Sequence, residues 1–481
     1  MDFYLAVDLG TTGCRSMIFD DKLDIKGWSY EEYPLITPRE NWVEQEAELW
    51  WDLTLKTAEN AIKNSGINSR EIIGISFSTQ GITVVPVDKD LKPLCNALTW
   101  LDTRASNECD IIRQDFGDTE IFLHTGKKNL PAYTLPKLLW IKKNQPEIWE
   151  KTYKFLMPMD YLIAKFTGKC VTDYSCASGT LFYDIANGDF SKQVLEKFGI
   201  EREKLPEIKQ SGECVGLVKP EIVTKLGLNE NCIVSVGAQD QKCASFGAGL
   251  DSDSVTISLG TAAAITKLWD TYAAKECMDI PWSSYVTKDK WVTEGVISTA
   301  GTCLRWLRDL MFKDEKYYVL DNEAQNAINK GSSVMFFPYL SGPSGPEYYN
   351  DSCGVFYGLG LSSNRADMAA AVMEGIAFRI RAILEAMKAG STAKRIILFG
   401  GGAKGETWPQ IIADITGLEI LVPSTAEAAS AGAAMLAAKG CGKKIDSLPF
   451  ANKFIPSVKS LYYNEKYKKY EQIQRNMWLG D

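Results

Sequence analysis

Asp8, Gly10, Thr11, Thr12, Gly13 and Arg15 fall within one short run, L-A-V-D-L-G-T-T-G-C-R-S-M-I-F-D at 5–20, and their types suit the binding of a phosphate. Glycines let an oxyanion approach the backbone closely, and successive N–H groups of a tight turn point at it. Threonine adds hydroxyl donors beside them. Asp8, just before the turn, is a carboxylate able to hold, directly or through water, the magnesium that travels with such a phosphate. A second copy stands at 255–267, V-T-I-S-L-G-T-A-A-A-I-T-K, in which Ser258-Leu259-Gly260-Thr261 echoes Asp8-Leu9-Gly10-Thr11 with the acid replaced. Two such turns, one opening each half, suggest duplicated halves whose turns grip different phosphates of one nucleotide.

Three further groups have chemical potential. V-S-V-G-A-Q-D-Q-K at 234–242 sets Asp240 and Gln241 at the tip of a strand, and Thr79-Gln80-Gly81-Ile82 ends another. Trp100-Leu101-Asp102-Thr103-Arg104 gathers aromatic and polar side chains. Strands that end in polar residues are where α/β proteins place ligand contacts. Trp100 is equally at home in a core, with Asp102–Arg104 as a helix start. Gly400-Gly401-Gly402-Ala403 follows a strand, and three glycines admit a flat base or a phosphate against the backbone. No Gly-x4-Gly-Lys-Ser/Thr loop occurs with them, and although Gly400, Gly402 and Gly405 have Gly-x-Gly-x-x-Gly spacing, the run is not read as a dinucleotide fingerprint.

The elements that must position these groups are read from periodicity. Strands are predicted at Leu5–Val7, Cys14–Phe19, Ile72–Ser78 and Ile82–Val87. An amphipathic helix is expected over 41–64, begun near Glu44-Gln45-Glu46, and others over 135–143 and 155–168. Residues 173–180 read as a turn-rich segment able to line a pocket, and 187–231 as an accessory region of poor periodicity. A small-faced helix after Asp240 leads to a break between halves around Gly247–Asp253. In the second half the expectations are a strand turning into a helix over 295–310 and a Pro/Gly loop at 336–346. They continue with helices at 366–389 and 408–416, and an alanine-rich helix at 426–439 packed close to the glycine run.

At 481 residues the chain holds about two to four domains. A net charge of −8 argues against non-specific nucleic-acid binding, which needs a basic face. No apolar run is long enough to span a bilayer and no signal peptide is read, so no membrane role is expected. Twelve cysteines without a Cys-x-x-Cys pair suggest reduced thiols in a cytoplasmic protein, not a disulfide or zinc scaffold. His124 is the only histidine, which removes most histidine-based catalysis and itself reads as structural.

Together the motifs resemble the FGGY family of carbohydrate kinases. Gly354–Glu374, G-V-F-Y-G-L-G-L-S-S-N-R-A-D-M-A-A-A-V-M-E, fits the family's C-terminal signature, and Ala132–Asn144 fits its N-terminal one apart from the first position. The two hairpins and G-G-G-A-K-x-x-x-W-x-Q-I-I-A-D at 400–414 are similar too. The resemblance implies an α/β fold of two RNase H-like, actin-like ATPase domains flanking a catalytic cleft. The first would be an N-terminal domain at 1–247, with sugar site and first phosphate hairpin, and the second an ATP-binding C-terminal domain at 248–481. It implies Asp240 as catalytic base, and Gln80, Gly81, Ile82, Trp100, Asp102, Tyr133, Asp240 and Gln241 at the sugar. Thr11, Thr12, Gly13, Arg15, Gly260 and Thr261 would surround the phosphates of ATP. Gly301, Arg305, Gly401, Gly402 and Ala403 would shape the adenosine side, and Asp8 with Asp240 would hold Mg²⁺. Its relatives are commonly homodimers.

Within the family, Leu130-Pro131-x-Tyr133-Thr134-x-Pro136-Lys137, Asp160-Tyr161, Thr172-Asp173 and Ser178-Gly179-Thr180 look most like xylulokinases, which implies a ketopentose such as D-xylulose as acceptor. Two departures touch the sugar site. Gln80-Gly81-Ile82-Thr83 stands where a xylulokinase has Gln-Met-His-Gly. P-Y-L-S-G-P-S-G-P at 338–346 lacks the arginine of the family's P-Y-L-x-G-E-R-x-P. Gluconate, ribulose, erythritol and glycerol remain alternative acceptors. An actin- or Hsp70-like ATPase and a non-catalytic sugar sensor are readings of another class.

Overall fold

The computed structural model describes residues 2–479 except 277, 314, 343–344, 346–348, 350 and 389–392. Two compact units emerge. The first comprises 1–249, 270–292 and 427–448, and the second 250–269, 293–426 and 449–481.

The first unit is built on a mixed sheet. F-Y-L-A-V-D-L forms β1 (Phe3–Leu9), an almost wholly buried strand that reads as a continuous apolar run because it lies inside the sheet. It turns back through Gly10–Thr12 into β2 (Gly13–Phe19), which pairs with β3 (Ile25–Glu32). On its other side β1 runs parallel to β4 (Ile72–Thr79). Beyond β4 lie β5 (Cys214–Leu217) and β6 (Ile233–Ser235), giving the order β5-β6-β4-β1-β2-β3. The short β7 (Ala238–Gln239) also pairs with β4, in parallel. The helix Ala47–Ser65 begins, as expected, beside Glu44-Gln45-Glu46, with Glu46 as its N-cap and Glu44–Gln45 in a small antiparallel pair with Ala97–Leu98. Of the predicted strand 82–87 only Val85–Val87 is regular. The segment 173–180 is a single helical turn, Tyr174–Ala177, capped by Asp173 and deeply buried.

The second unit repeats the plan. β8 (Ser254–Leu259) and β9 (Ala263–Trp269) form the second hairpin. With β10 (Trp291–Ile297), β11 (Arg395–Phe399), β12 (Glu419–Pro423) and β13 (Phe450–Phe454), the order is β10-β9-β8-β11-β12-β13. β8 runs parallel to β11 as β1 does to β4, and in each copy the outermost strand past the parallel set is antiparallel. Helices Arg365–Ala386 and Thr407–Thr416 pack beside this sheet, and Tyr317–Asn329 packs on both of them. In the loop 336–346, Pro343, Ser344 and Pro346 lie outside the described residues, as does Ala389, the predicted end of the long helix.

The alanine-rich helix, Ala428–Gly440, packs within the first unit. It lies on β1, β4 and β6 and crosses the helix Asp240–Gly247. The crossing needs glycine: a Cβ on Gly432 would stand 2.1 Å from the Cys243 carbonyl oxygen. Among the described residues no helix is long and apolar enough to cross a membrane, and every described cysteine is free.

Candidate active site

Three parallel strands of the first unit end in register. Leu9 pairs with Thr79 and Thr79 with Gln239, so the ends of β1, β4 and β7 stand side by side. The chain leaves these ends through Gly10-Thr11-Thr12-Gly13, Gln80-Gly81-Ile82 and Asp240-Gln241, the residues expected at phosphate, sugar and transferred proton. The carboxyl ends of parallel strands are the ordinary ligand position in α/β sheets.

Asp8 sits one residue before the end of β1, partly exposed, and Ser78 donates to its Oδ1 at 2.8 Å. Loss of water raises its carboxyl above the usual carboxylate range, while Ser78 and the Arg15 charge pull it back. Asp240 is the first residue of its helix, capped by Gln239. Its Oδ1 accepts from the Gln241 N–H at 2.7 Å and from Gln239 Nε2, which fixes the carboxylate's orientation. Asp8 and Asp240 act on one buried thiol: burial first, and then the charges of Asp8, Asp173 and Asp240, hold Cys243 well above its ordinary pKa. Arg15 forms an ion pair with Glu427 and lies over the Tyr30 ring, with its Nε buried and unpartnered.

A closed circuit of hydrogen bonds ties these turns together. Trp100 Nε1 donates to Thr11 Oγ1 at 2.8 Å, and Gln45 Nε2 donates to the Thr11 carbonyl at 2.6 Å. Gln80 Nε2 donates to Gln45 Oε1 at 2.7 Å, and Thr83 Oγ1 to Gln80 Oε1 at 3.3 Å. Thr83 Oγ1 in turn accepts from the Trp100 N–H at 3.2 Å. Trp100 is 41% exposed, so it is a surface wall and not a core tryptophan. Gln80 is buried, Gly81 and Tyr133 half-buried, and Ile82 holds φ of 53°. Asp102 departs from its expected place. It is fully buried, with its oxygens taken by Arg104 and the Val43 N–H, and so it braces the loop under Trp100 without facing a ligand. Gln45, Thr83 and Glu427 escaped the sequence reading, since each acts by reach across the fold from an unremarkable local run.

The second unit holds a cavity of about 630 Å³, the size of a small-molecule site. Gly260, Thr261, Gly301, Arg305, Gly401 and Gly402 all line it, as expected. Ala403 is buried and is not part of the lining. Gly301 opens the helix Gly301–Leu307 directly beneath the hairpin turn, where a Cβ would come within 2.4 Å of the Gly260 carbonyl oxygen. Tyr317, Tyr318, Asp321, Lys404 and Trp408 complete the walls. Burial raises the Asp321 carboxyl above its ordinary range. Tyr317 to Asp321 could not be placed from sequence, because their helix carries no glycine signal and reaches the cavity only through the fold. Among the described residues no cluster of three His, Cys, Asp or Glu forms a ready-made metal cage.

Comparison with known proteins identifies the family and the fold. Residues 3–247 match the model for the FGGY family of carbohydrate kinases, N-terminal domain, and 255–441 that for its C-terminal domain. The xylulose kinase of Bacillus subtilis (strain 168) is 30% identical over 484 residues, covering 99% of this chain and 97% of its own. The crystal structure of ligand-bound xylulose kinase from Lactobacillus acidophilus superposes with a TM-score of 0.92 at 25% identity, covering 100% of this chain and 99% of its own. A gluconate kinase structure from the same organism gives 0.91 at 25% identity with the same coverage. The chain is a member of the FGGY family of carbohydrate kinases.

Proposed function

We propose that this kinase transfers the γ-phosphate of Mg-ATP to a hydroxyl of a neutral ketose, a ketopentose such as D-xylulose first among them. Members of the family use ATP as phosphate donor and generally require a divalent metal. The observation that carries the reading is the register of three strand ends, which sets the phosphate turn, the Gln80–Ile82 turn and Asp240 side by side.

In phosphoryl transfer a protein chiefly positions groups and neutralises charge. Asp240, oriented by Gln239 and the Gln241 N–H, accepts the proton of the attacking hydroxyl. Thr11, Thr12 and Gly13 donate to phosphate oxygens, while Gly260 and Thr261 do the same from the second hairpin. The cavity lined by Gly301, Arg305, Gly401 and Gly402 takes the nucleoside. Asp8 and Asp240 would hold the metal. Magnesium suits them, because it binds through one or two carboxylates while keeping waters and phosphate oxygens, so the lack of a three-residue cluster among the described residues is no obstacle. When bound it supplies charge neutralisation between phosphates.

A neutral acceptor is favoured over an aldonate by the state of the nearby cations. Arg104 is engaged by Asp102 and Glu44, and Lys137 by main-chain carbonyls. The names of the relatives point the same way, xylulose kinase foremost, with gluconate kinase as the second reading. ADP release with Mg-ATP against xylulose, ribulose, erythritol, glycerol and gluconate tests it. D-Xylulose should give kcat/KM of about 10⁴ M⁻¹s⁻¹ or more. Gluconate leading the panel would move the reading to a gluconokinase. No stimulation by any acceptor would overturn it.

A further inference from the structure

Behind the proposed sugar site lies a charged side chain that the mechanism does not use. Lys137 is fully buried in the first half of the helix Thr134–Asn144. Its ammonium donates to the carbonyl of Ala132 at 2.5 Å, of Thr99 at 2.6 Å and of Ile82 at 3.3 Å. An ammonium has three N–H donors and no acceptor, so three carbonyls satisfy it completely. These carbonyls are not random. Ala132 precedes Tyr133, Thr99 precedes Trp100, and Ile82 is itself a proposed sugar contact. Segments remote in sequence thus meet on one nitrogen.

The geometry at Ile82 shows why a strong tie is needed there. A β-branched residue in the left-handed region is a steric outlier, held only where its surroundings over-determine it. Its side chain is fitted against Gly179, where even a Cβ would approach Ile82 Cγ2 to 2.3 Å. Its carbonyl is fixed by Lys137. The charged groups facing the ammonium are Asp102, which favours its charge, and Arg104, which opposes it, while burial lowers its pKa to about 7.

We propose that Lys137 is a positioning residue for the acceptor: by binding three carbonyls it sets Ile82, Trp100 and Tyr133 as the walls of one sugar pocket and so governs acceptor binding independently of the nucleotide. The inference rests on the function proposed above for its kinetic consequences. Its structural content stands apart from that reading.

The test compares the full-length protein with Lys137→Met, which keeps the apolar stem and removes every donor. The amides of Thr83, Trp100 and Tyr133 are each hydrogen-bonded, to Gly81 O, Thr83 Oγ1 and Leu130 O, and serve as reporters. Their hydrogen exchange should accelerate together by about 10-fold or more while β1 and β2 stay unchanged. The acceptor KM should rise about 10- to 100-fold, with the KM for ATP within about twofold of the parent. Exchange unchanged at two of the three amides overturns the proposal whatever the acceptor is. Parallel rises in both KM values also overturn it, since they mark a general loss of structure. If the parent phosphorylates none of the panel, the proposed function falls and the exchange result alone decides for or against Lys137. Should Lys137→Met not accumulate as folded protein, Lys137→Gln, whose amide keeps two donors, is read in the same way with smaller effects.

Discussion

The two Gly-Thr hairpins are copies of one frame put to different use. Each joins a pair of antiparallel strands, each lies beside a parallel strand, and each turn closes with a glycine N–H donating to a nearby carbonyl. Gly10 donates to Gly13 at 3.0 Å and Gly260 to Ala262 at 2.9 Å. The residues across the ladder differ. Asp8 faces Ser78 and is hydrogen-bonded to it, whereas Ser258 faces Phe399. The turns after the neighbouring strands differ in the same sense. In the first unit Gln80-Gly81-Ile82 is filled with side chains, and a Cβ at Gly81 would stand 2.9 Å from Gln239. In the second, a Cβ at Gly401 would meet nothing within 4 Å, and the space is the cavity of about 630 Å³. The contrast amounts to a division of labour in which charge and polar circuits gather on one copy and an open, glycine-floored pocket on the other.

Substitutions at matched positions probe that division. Asp8→Asn, which keeps shape and removes charge, should lower kcat/KM by about 10²-fold or more and raise the metal concentration needed for half-maximal rate. Steady-state assays across a metal titration check this, and an unchanged metal requirement would remove Asp8 from the metal's neighbourhood. Gly301→Ala forces a methyl against the Gly260 carbonyl, a strain of roughly 1–3 kcal/mol. It should raise the KM for ATP about 10-fold with the acceptor KM unchanged, which two-substrate kinetics will resolve. Ser258→Ala, the counterpart of Asp8→Asn in the second copy, should move kcat and both KM values by less than about threefold. A loss at Ser258 as large as at Asp8 would show that the two turns share one chemical role.

Much of this was legible before folding. The hairpins, the glycine run and Asp240 at a strand tip announce themselves through local composition, because close approach of backbone to phosphate demands glycine wherever it occurs. The duplicated sheet order was foreshadowed by the echo of D-L-G-T in S-L-G-T. Asp102 misled for a physical reason: a carboxylate two residues before an arginine reads as an exposed polar cluster, and only the fold shows both side chains buried together, the arginine lying 3.7 Å over Trp42. The alanine-rich helix found its partners β1, β4 and β6 only in the fold, because its small residues fit any close crossing and nothing local names the partner. Gln45, Thr83 and Lys137 were invisible as a circuit and a tie. Their contacts join segments of the first unit that lie far apart in sequence.

The sharpest test of the division is Asp240→Asn, followed by acceptor-dependent ADP release and by calorimetric titration with nucleotide. The account predicts a fall in turnover of about 10³-fold, within the range of a lost general base, with the nucleotide Kd within about twofold of the parent. Turnover within about tenfold of the parent, or nucleotide affinity lost along with it, would contradict the claim that the proton acceptor resides in the first copy and the nucleoside cavity in the second.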